Sequence, residues 1–448
     1  MEKTMKKNPI TEGVIWKQML LFCIPVMAGT LFQQLYNIVD VIVVGRFVST
    51  KALACVGGSS GMMINLFVGF FTGMTSGVTV IVARYFGAAD WRHLSEGIHT
   101  SVAIAIIGGV LFGVLGVAFA PLLLQLLGTP EELMNGSLLY LRIYFTGILF
   151  TFLFNTGSAI LRALGDSKQP LYYLMICCFV NIVLDVLLVV VFHLGIAGVA
   201  IATVTAQAVS SYMVLHALQH LKEQFRVKWK QIKFHKQLFF EIIRIGLPAG
   251  IQSVMNSLSG MIMTSAVNSL GTIAVAGNTA YAKLDGIYWM VSNAFAVAIA
   301  TFVAQNLGAN KMKRVHQSIR VCLALDLFLS GCISLFFFTT SKYLLYLFTN
   351  DSSVVEQALL VMKAIAPYYA LVPIYEVLSS ALRGLDDVFI PMVINIIGLC
   401  GVRAFYVLMQ SNPTSIYQII ISCPISWVFT ALITLGYYLI RIQRYKLD

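Results

Sequence analysis

Asp40 interrupts the first long apolar stretch of the chain. If that stretch is helical, Tyr36 lies one turn earlier on the same face and Asn37 lies three positions before the carboxylate. Because a charge at membrane depth is costly against lipid, the Asp40 side chain should face the protein interior or a water-filled cavity. Two interpretations stay open here: an ion or proton site, or a neutral aspartate that hydrogen-bonds a neighbouring helix.

Other oxygen-bearing side chains interrupt later apolar stretches of the first half. Asn181 and Asp185 are four positions apart and share a helix face, Thr203 lies in an Ala/Val run, and Asn155 lies in an earlier segment. If these segments surround Asp40, their oxygens form a hard-ligand pocket that suits Na⁺ or protons. Two close carboxylates would also share a proton. The alternative is a hydrogen-bonded network that packs helices, but two acids in one half favour ion coupling.

In the Na⁺-coupled case the predicted metal ligands are Asp40, Asn181, Asp185 and Thr203.

The second half arranges its charges differently, with Asp285 near Lys283 and with Glu376 and Arg403 on separate segments. Lys283 and Asp285 are two positions apart and therefore face different directions on a helix. Glu376 and Arg403 form either a structural ion pair between helices or part of a substrate site, and both readings stay open. The polar lining of the predicted substrate cavity consists of Asp285, Glu376, Asn256 and Gln34.

The elements that must position these groups are membrane-spanning helices. The chain has 448 residues, of which 58% are hydrophobic and only 11% charged, whereas soluble proteins carry about 25% charged residues. This composition predicts an all-α polytopic membrane protein, and the length suits twelve helices of about 20–25 residues. The sequence has no phosphate-binding loop and no metalloprotease or hydrolase signature. It therefore predicts no enzyme and no cofactor, with energy drawn from an ion gradient.

The net charge of +11 reflects membrane topology rather than nucleic-acid binding. When successive loops alternate across a membrane and the N-terminus is inside, 23 of the 30 Lys and Arg residues fall on one side. This bias follows the positive-inside rule and predicts that both termini are cytoplasmic.

The chain divides into two halves that repeat. Leu161-Arg162-Ala163-Leu164-Gly165-Asp166 matches Leu382-Arg383-Gly384-Leu385-Asp386-Asp387 at an offset of 221, and two further blocks match at that offset. Each half has six helices, so the repeat is parallel, and substrate sites are expected near the midplane between such halves. The predicted parts are a lead (1–15), an N-lobe (16–220), a linker (221–238), a C-lobe (239–440) and a tail (441–448). The basic linker lies along an anionic membrane surface or forms a solvated tether.

Each half carries a proline early in its first helix, Pro25 and Pro248. Proline removes one backbone hydrogen bond and permits a kink. Both positions suit a bending gate, although membrane helices also tolerate proline that has no such role.

These residues resemble the multidrug and toxic compound extrusion (MATE) transporters, bacterial type, over nearly the whole chain. The resemblance rests on the twin arginine loops, on Tyr36-Asn37-x-x-Asp40-x-x-x-x-Gly45 and on Gln305-Asn306-x-Gly308-Ala309. It implies N- and C-lobes, alternating access, and export of amphipathic cations in exchange for H⁺ or Na⁺.

The resemblance also implies a cation site in the N-lobe. Its motif positions fall here on Tyr36, Asp40, Asn181, Asp185 and Thr203, with Asn155 nearby. A second pattern, found in Na⁺-coupled bacterial members, requires two C-lobe acids where this sequence has Asn256 and Val372. That acidic site is therefore missing, unless Glu376, one turn beyond Val372, substitutes for it. The departure favours coupling in the N-lobe.

The expected protein is a monomeric multi-pass antiporter of the plasma (inner) membrane, with membrane lipid as surroundings and amphipathic cations as substrates. The alternative is a lipid-linked saccharide flippase of the same broad superfamily. A flippase needs a large cationic cavity for pyrophosphate, and the basic residues at membrane depth are few.

Overall fold

The computed structural model describes residues 8–410 and 413–443, and within this part of the chain every regular element is helical. The prediction of twelve membrane-spanning helices is confirmed. They are α1 (Ile15–Phe47), α2 (Thr50–Gly87), α3 (Trp91–Leu126), α4 (Glu131–Ala163), α5 (Lys168–Val191), α6 (Gly195–Gln219), α7 (Lys236–Asn268), α8 (Thr272–Gly308), α9 (Met312–Tyr346), α10 (Ser352–Gly384), α11 (Phe389–Met409) and α12 (Ile416–Ile442).

Nine of these helices are longer than the predicted 20–25 residues, with 27 to 38 residues each, and the other three have 21 to 25. About 20 residues cross the hydrocarbon core, so most helices continue beyond it. Two are interrupted by a single residue, α2 at Gly58 and α12 at Ile421, and three contain π-helical or 3₁₀ segments. A π-helical segment, Val186–Val191, ends α5, another, Ile396–Gly401, interrupts α11, and a 3₁₀ segment, Ala366–Leu371, lies within α10. Pro367 lies within that last segment and Pro373 two residues beyond it, and both remove backbone donors from the helical ladder.

The internal repeat is visible in the backbone as well as in the sequence. Ala89 and Asn310, which are 221 positions apart, both adopt left-handed backbone, with φ of 54° and 53°. The same offset joins Gly165, at 92°, to Asp386, at 72°. In each case a helix ends and the chain reverses at the same point of the two halves, so the two halves repeat in backbone conformation as well as in residue type.

The chain folds into two compact units. The N-unit comprises Ile24–Gly250, and the C-unit comprises the residues up to Cys23 together with those from Ile251 onward. Each boundary lies within a helix, two residues from Pro25 in α1 and two residues from Pro248 in α7. The units thus differ from the predicted lobes by the first segments of these two helices.

Within the C-unit, the first segment of α1 packs against α8. The Phe22 ring meets the Phe302 ring edge-on at 6.1 Å, and the Cys23 thiol lies 3.7 Å from the carbonyl oxygen of Ala294. A one-turn helix, Pro9–Glu12, precedes α1, and the Arg314 Nε donates a hydrogen bond to the Ile10 carbonyl at 3.1 Å. Residues 1–7 of the predicted lead and residues 444–448 of the predicted tail lie outside the described residues.

The basic linker packs against the start of α3 and is not a free tether. Phe225 stacks on Trp91 with ring centroids 5.7 Å apart, and Phe225 is buried. The Lys228 N–H donates to Nε2 of His99 at 3.0 Å, and the His235 N–H donates to the Thr100 hydroxyl at 3.2 Å. Linker and helix enclose a cavity of about 570 Å³.

Candidate functional site

Three helices of the N-unit bring the predicted cation-site residues together. Tyr36 and Asp40 come from α1, Asn181 and Asp185 from α5, and Thr203 from α6. The hydroxyl of Thr203 lies 3.4 Å from Oδ2 of Asp40, and it also bonds the Val199 carbonyl one turn earlier. The Asn181 amide and the Asp185 carboxyl lie close to the Asp40 carboxyl. All five side chains are buried.

A cavity of about 110 Å³, here called the aspartate cavity, opens beside Asp40. Asp40, Tyr36, Thr203 and Asn155 line it, and α2 and α4 join α1, α5 and α6 in forming its wall. Asn181 and Asp185 do not line this cavity. They belong to the site because they lie close to the Asp40 carboxyl, which does line it. The remaining lining residues are Gln33, Asn37, Ile64, Asn65, Val68, Tyr140, Tyr144, Thr151, Phe154, Leu174 and Gln207.

Several buried oxygens of this site have no hydrogen-bond partner among the described residues. They are Oδ1 of Asp40, both carboxyl oxygens of Asp185 and the amide oxygen of Asn181. Leaving buried polar atoms unpaired is costly, so such a cluster indicates a bound proton or cation. Asp185 directly precedes the π-helical segment of α5, and π turns are frequent at functional sites.

The donor set fits a hard cation, because carboxylate, amide and hydroxyl oxygens are the ligands that such ions prefer. The described residues contain no group of three or more His, Cys, Asp or Glu side chains arranged for a metal ion. The two carboxylates of Asp40 and Asp185 are therefore supplemented here only by neutral oxygens. This donor set suits a monovalent ion or a proton better than a tightly held divalent metal.

Sequence reasoning missed several polar contributors to the aspartate cavity, among them Gln207, Tyr140 and Tyr144. Gln207 lies one turn beyond Thr203 on α6 and leaves its amide oxygen without a partner among the described residues, while Tyr140 and Tyr144 face the cavity from α4. The spacing of four between Thr203 and Gln207 was a usable signal, since it puts both on one helix face. Nothing local marked the two tyrosines.

The predicted substrate-cavity residues separate in the structure. Asn256 and Glu376 line one cavity of the C-unit, of about 290 Å³, together with Arg403; it is here called the arginine cavity. Asp285 does not line it and instead accepts hydrogen bonds from Tyr281, Tyr369 and Trp289, at 2.8, 2.7 and 3.1 Å. Gln34 belongs to the N-unit and lines neither cavity. The full lining of the arginine cavity is Asn256, Ser259, Trp289, Asn293, Tyr375, Glu376, Leu399, Arg403 and Trp427.

The possible ion pair between Glu376 and Arg403 does not form. Among the described residues the Arg403 guanidinium reaches the Ser426 hydroxyl, at 3.5 Å, rather than a carboxylate within ion-pair distance. Glu376 instead interacts electrostatically with Arg383, seven positions further along α10. The prediction of a structural ion pair was therefore wrong. Glu376 and Arg403 line the same cavity, but their charged groups are not within ion-pair distance of each other.

Twelve helices in two repeated halves, with buried carboxylates inside the membrane-spanning segments, are typical of polytopic membrane transporters. The MatE family model matches residues 25–187 and again residues 248–409. The two matches follow the two halves of the repeat. The chain belongs to this family, the multidrug and toxic compound extrusion (MATE) transporters, as the sequence resemblance predicted.

Individual relatives agree with this assignment over most of their length. The probable multidrug resistance protein YoeA of Bacillus subtilis is 29% identical over 449 residues, which cover 97% of this chain and 95% of YoeA. The multidrug export protein MepA of Staphylococcus aureus is 23% identical over 79% of this chain and 78% of its own. A solved MATE family transporter of the MOP superfamily, 20% identical, superposes with a TM-score of 0.91 over 100% of both chains, so the fold is shared.

Proposed function

We propose that this protein is a secondary active multidrug exporter that moves amphipathic cations out of the cell in exchange for H⁺ or Na⁺. One observation carries the proposal, namely the buried pair Asp40 and Asp185 with unpaired oxygens beside Asn181 and Thr203. Buried acids at membrane depth are typical of coupling sites. The relatives YoeA and MepA are named as multidrug resistance and multidrug export proteins, which supports export of several drugs as the activity.

In this proposal the coupling ion binds among Asp40, Asn181, Asp185 and Thr203, with Tyr36 and Asn155 at the cavity wall. Because the two close carboxylates share a proton, the pair carries one negative charge, and one bound coupling ion neutralises it. Pro25 lies in the same helix as Asp40, close to where α1 passes from one compact unit to the other. A change in the site is transmitted along α1 to Pro25, and Pro248 has the same role in α7.

The proposed transport cycle is alternating access between an N-lobe (16–220) and a C-lobe (239–440) in a monomer. The positive-inside bias supports a plasma-membrane location with both termini cytoplasmic. One charge that crosses a 100 mV potential supplies about 2.3 kcal/mol. For each net charge that moves inward, after the charge of the exported cation is subtracted, that free energy supports a substrate concentration ratio of about 50.

The test uses purified protein in liposomes that hold a fluorescent cation such as ethidium, with an imposed pH or Na⁺ gradient. We expect efflux to require one of the gradients and to be abolished in Asp40→Asn and in Asp185→Asn. Asp326→Asn is the matched control, because Asp326 is equally buried but belongs to the C-unit. Its gradient-driven efflux should persist.

Efflux that persists in both aspartate variants would contradict coupling at this site. If no cation moves and a fluorescent lipid-linked saccharide crosses the bilayer instead, the flippase alternative replaces the antiporter.

A further inference from the structure

The space of about 570 Å³ between the linker and the start of α3, here called the linker cavity, has an outer wall that is fixed at both ends. At one end the Lys228 N–H donates to Nε2 of His99, and at the other the His235 N–H donates to the Thr100 hydroxyl. The Thr100 hydroxyl in turn donates to the Lys233 carbonyl oxygen at 3.5 Å. Two adjacent residues of α3 therefore hold the loop that carries both lysines, so the cavity is formed before any ligand binds.

Positive charge dominates the lining of the linker cavity. The basic side chains that line it are Arg92, Lys228, Lys233 and His235. Among its described lining residues the one acid is Glu96. Both carboxylate oxygens of Glu96 already have a basic partner, since Oε1 lies 3.3 Å from Nε of Arg92 and Oε2 lies 3.6 Å from Nδ1 of His235. Glu96 therefore does not neutralise the two lysines.

Lys228 and Lys233 are the cations of this cavity that lack an acidic partner. Neither makes an ion pair within 4 Å in the part of the chain that the structure describes, and the linker's own acid, Glu223, is paired with a linker arginine at 3.2 Å. The side chains of Gln224 and Gln231 add amide donors to the same lining. Two ammonium groups beside neutral donors suit an anion with several acceptor oxygens, and a phosphate group is such an anion.

The linker cavity lies at one end of a membrane-spanning helix, where lipid headgroups are expected. Trp91, the first residue of α3, lines the cavity. Trp229 and Phe234, the chain neighbours of Lys228 and Lys233, are 55% and 43% exposed. Exposed aromatic side chains are enriched at the interface between bilayer and water. The positive-inside bias predicts that this end of α3 is cytoplasmic, where the leaflet is anionic.

From these groups we propose that the linker cavity binds the phosphate of an anionic phospholipid such as phosphatidylglycerol. Lys228 and Lys233 hold the phosphate oxygens, and the exposed rings of Trp229 and Phe234 lie against the acyl chains. A soluble phosphate ester offers the same oxygens but no chains for these rings, so the lipid is the favoured source.

The size and the place of the cavity agree with this ligand. Ligand pockets measure about 300–1,000 Å³, so a cavity of about 570 Å³ accommodates a headgroup as well as its phosphate. All of its lining residues belong to the N-unit, and none of them lines the aspartate cavity. The proposal is therefore separate from the export function and can be tested without transport.

The test measures lipid binding to the purified full chain in detergent by native mass spectrometry. The probes are phosphatidylglycerol, which is anionic, and phosphatidylcholine, which has the same phosphate diester but no net charge. Lys228→Gln combined with Lys233→Gln should weaken binding of phosphatidylglycerol about tenfold or more and leave phosphatidylcholine unchanged. Glu96→Gln should have the opposite effect and tighten binding of phosphatidylglycerol, because it removes a negative charge from the cavity.

Lys222→Gln combined with Lys230→Gln is the matched control. Both lysines belong to the linker and neither lines the cavity, so this variant loses the same charge and should bind phosphatidylglycerol as the wild type does. Cleavage by trypsin at Lys230 gives a second readout. Phosphatidylglycerol should slow this cleavage in the wild type, and the protection should be lost when Lys228 and Lys233 are replaced.

Equal weakening in the two double variants would overturn the proposal, because it would show a diffuse attraction to the basic linker. Undiminished binding of phosphatidylglycerol after replacement of Lys228 and Lys233 would overturn it as well. Glycerol 3-phosphate distinguishes the two sources of phosphate. If it protects Lys230 as well as phosphatidylglycerol does, the ligand is a soluble phosphate ester and the assignment to a lipid is wrong.

Discussion

Gly77 and Gly246 bring the backbones of α2 and α7 into direct contact within the N-unit, since a Cβ atom on Gly77 would lie 2.8 Å from the backbone nitrogen of Gly246. One turn away, a Cβ on Gly73 would lie 2.5 Å from the Ala249 carbonyl oxygen, and one on Gly250 would lie 2.9 Å from the Phe70 carbonyl oxygen. Both helices thus present a Gly-x-x-x-Gly face, the spacing that permits close helix packing in membranes. The first segment of α7 is held to the N-unit by this contact.

Gly77→Ala should destabilise the protein because the two backbones must separate to admit a methyl group. We expect a loss of about 1–3 kcal/mol, measured as a lower thermal unfolding midpoint in detergent. Gly260→Ala, on α7 itself, is the matched control, since a Cβ there meets no atom within 4 Å. Equal effects of the two substitutions would show that the packing argument is wrong.

Thr203→Val should weaken binding of the coupling ion without abolishing transport. Valine keeps the shape of threonine but removes the hydroxyl that lies 3.4 Å from Asp40. The ion concentration at half-maximal efflux should rise about three- to tenfold, as one hydrogen bond is lost. Initial rates in liposomes at graded Na⁺ or H⁺ concentration measure this change.

Thr205→Val provides the comparison, because Thr205 is exposed and lies two positions away on another face of α6. A shift of the same size in Thr205→Val would remove the assignment of Thr203 to the site.

Asp90→Ala should cost about 1 kcal/mol at neutral pH, because Asp90 caps α3. One carboxyl oxygen accepts from the His93 N–H at 3.1 Å and the other lies 2.7 Å from Nδ1 of His93. These hydrogen bonds hold the pKa of Asp90 below its usual range. Because the pKa of Asp90 is lower in the folded state, the charged carboxyl stabilises the fold at pH values above the unfolded-state pKa, near 3.9. This stabilisation is lost as the pH falls below that pKa.

The difference in unfolding midpoint between wild type and Asp90→Ala should therefore shrink as the pH is lowered from 7 to below about 4. Asp90→Asn, which keeps the cap without the charge, should show a smaller loss at pH 7. A pH-independent difference would contradict the capping argument.

Ala89→Gly should stabilise the protein, because Ala89 adopts a φ of 54° that favours glycine. Relief of this left-handed conformation is worth about 1 kcal/mol. Ala88, one residue earlier, has a φ of −73°, which any residue adopts. Ala88→Gly should therefore lower the unfolding midpoint, because glycine there only increases the conformational freedom of the unfolded chain. The prediction is lost if both variants shift the midpoint in the same direction.

His99→Phe should release the linker from α3. Nε2 of His99 accepts from the Lys228 N–H at 3.0 Å while Nδ1 lies 2.7 Å from the Ser95 carbonyl oxygen, so the ring is neutral with its proton on Nδ1. Phenylalanine retains the volume but offers no acceptor. Limited digestion with trypsin should cleave at Lys228 and Lys230 faster in the variant. His316→Phe, on α9, should digest as the wild type does.

The sequence was sufficient for the helix count, the repeat and most of the predicted cation-site residues. Apolar length and loop charge depend on local composition, so twelve spans could be read without the fold. Asp40 was recognisable as a charge inside an apolar stretch, and Asn181 and Asp185 because a spacing of four puts two side chains on one helix face. Thr203 was recognisable as a hydroxyl in an Ala/Val run, and the family motif then grouped these residues into one site. Their roles in ion coupling stay predictions.

Tertiary structure alone decided which faces meet. It brought Gln207, Tyr140 and Tyr144 to the aspartate cavity, separated Asp285 and Gln34 from Asn256 and Glu376, and left Arg403 without a carboxylate partner. It also assigned the first segments of α1 and α7 to the opposite units. Helix periodicity defines the faces of one helix. Contacts between helices depend instead on residues far apart in the sequence, and no local pattern specifies which faces meet. The packing of Gly77 on Gly246 is an example.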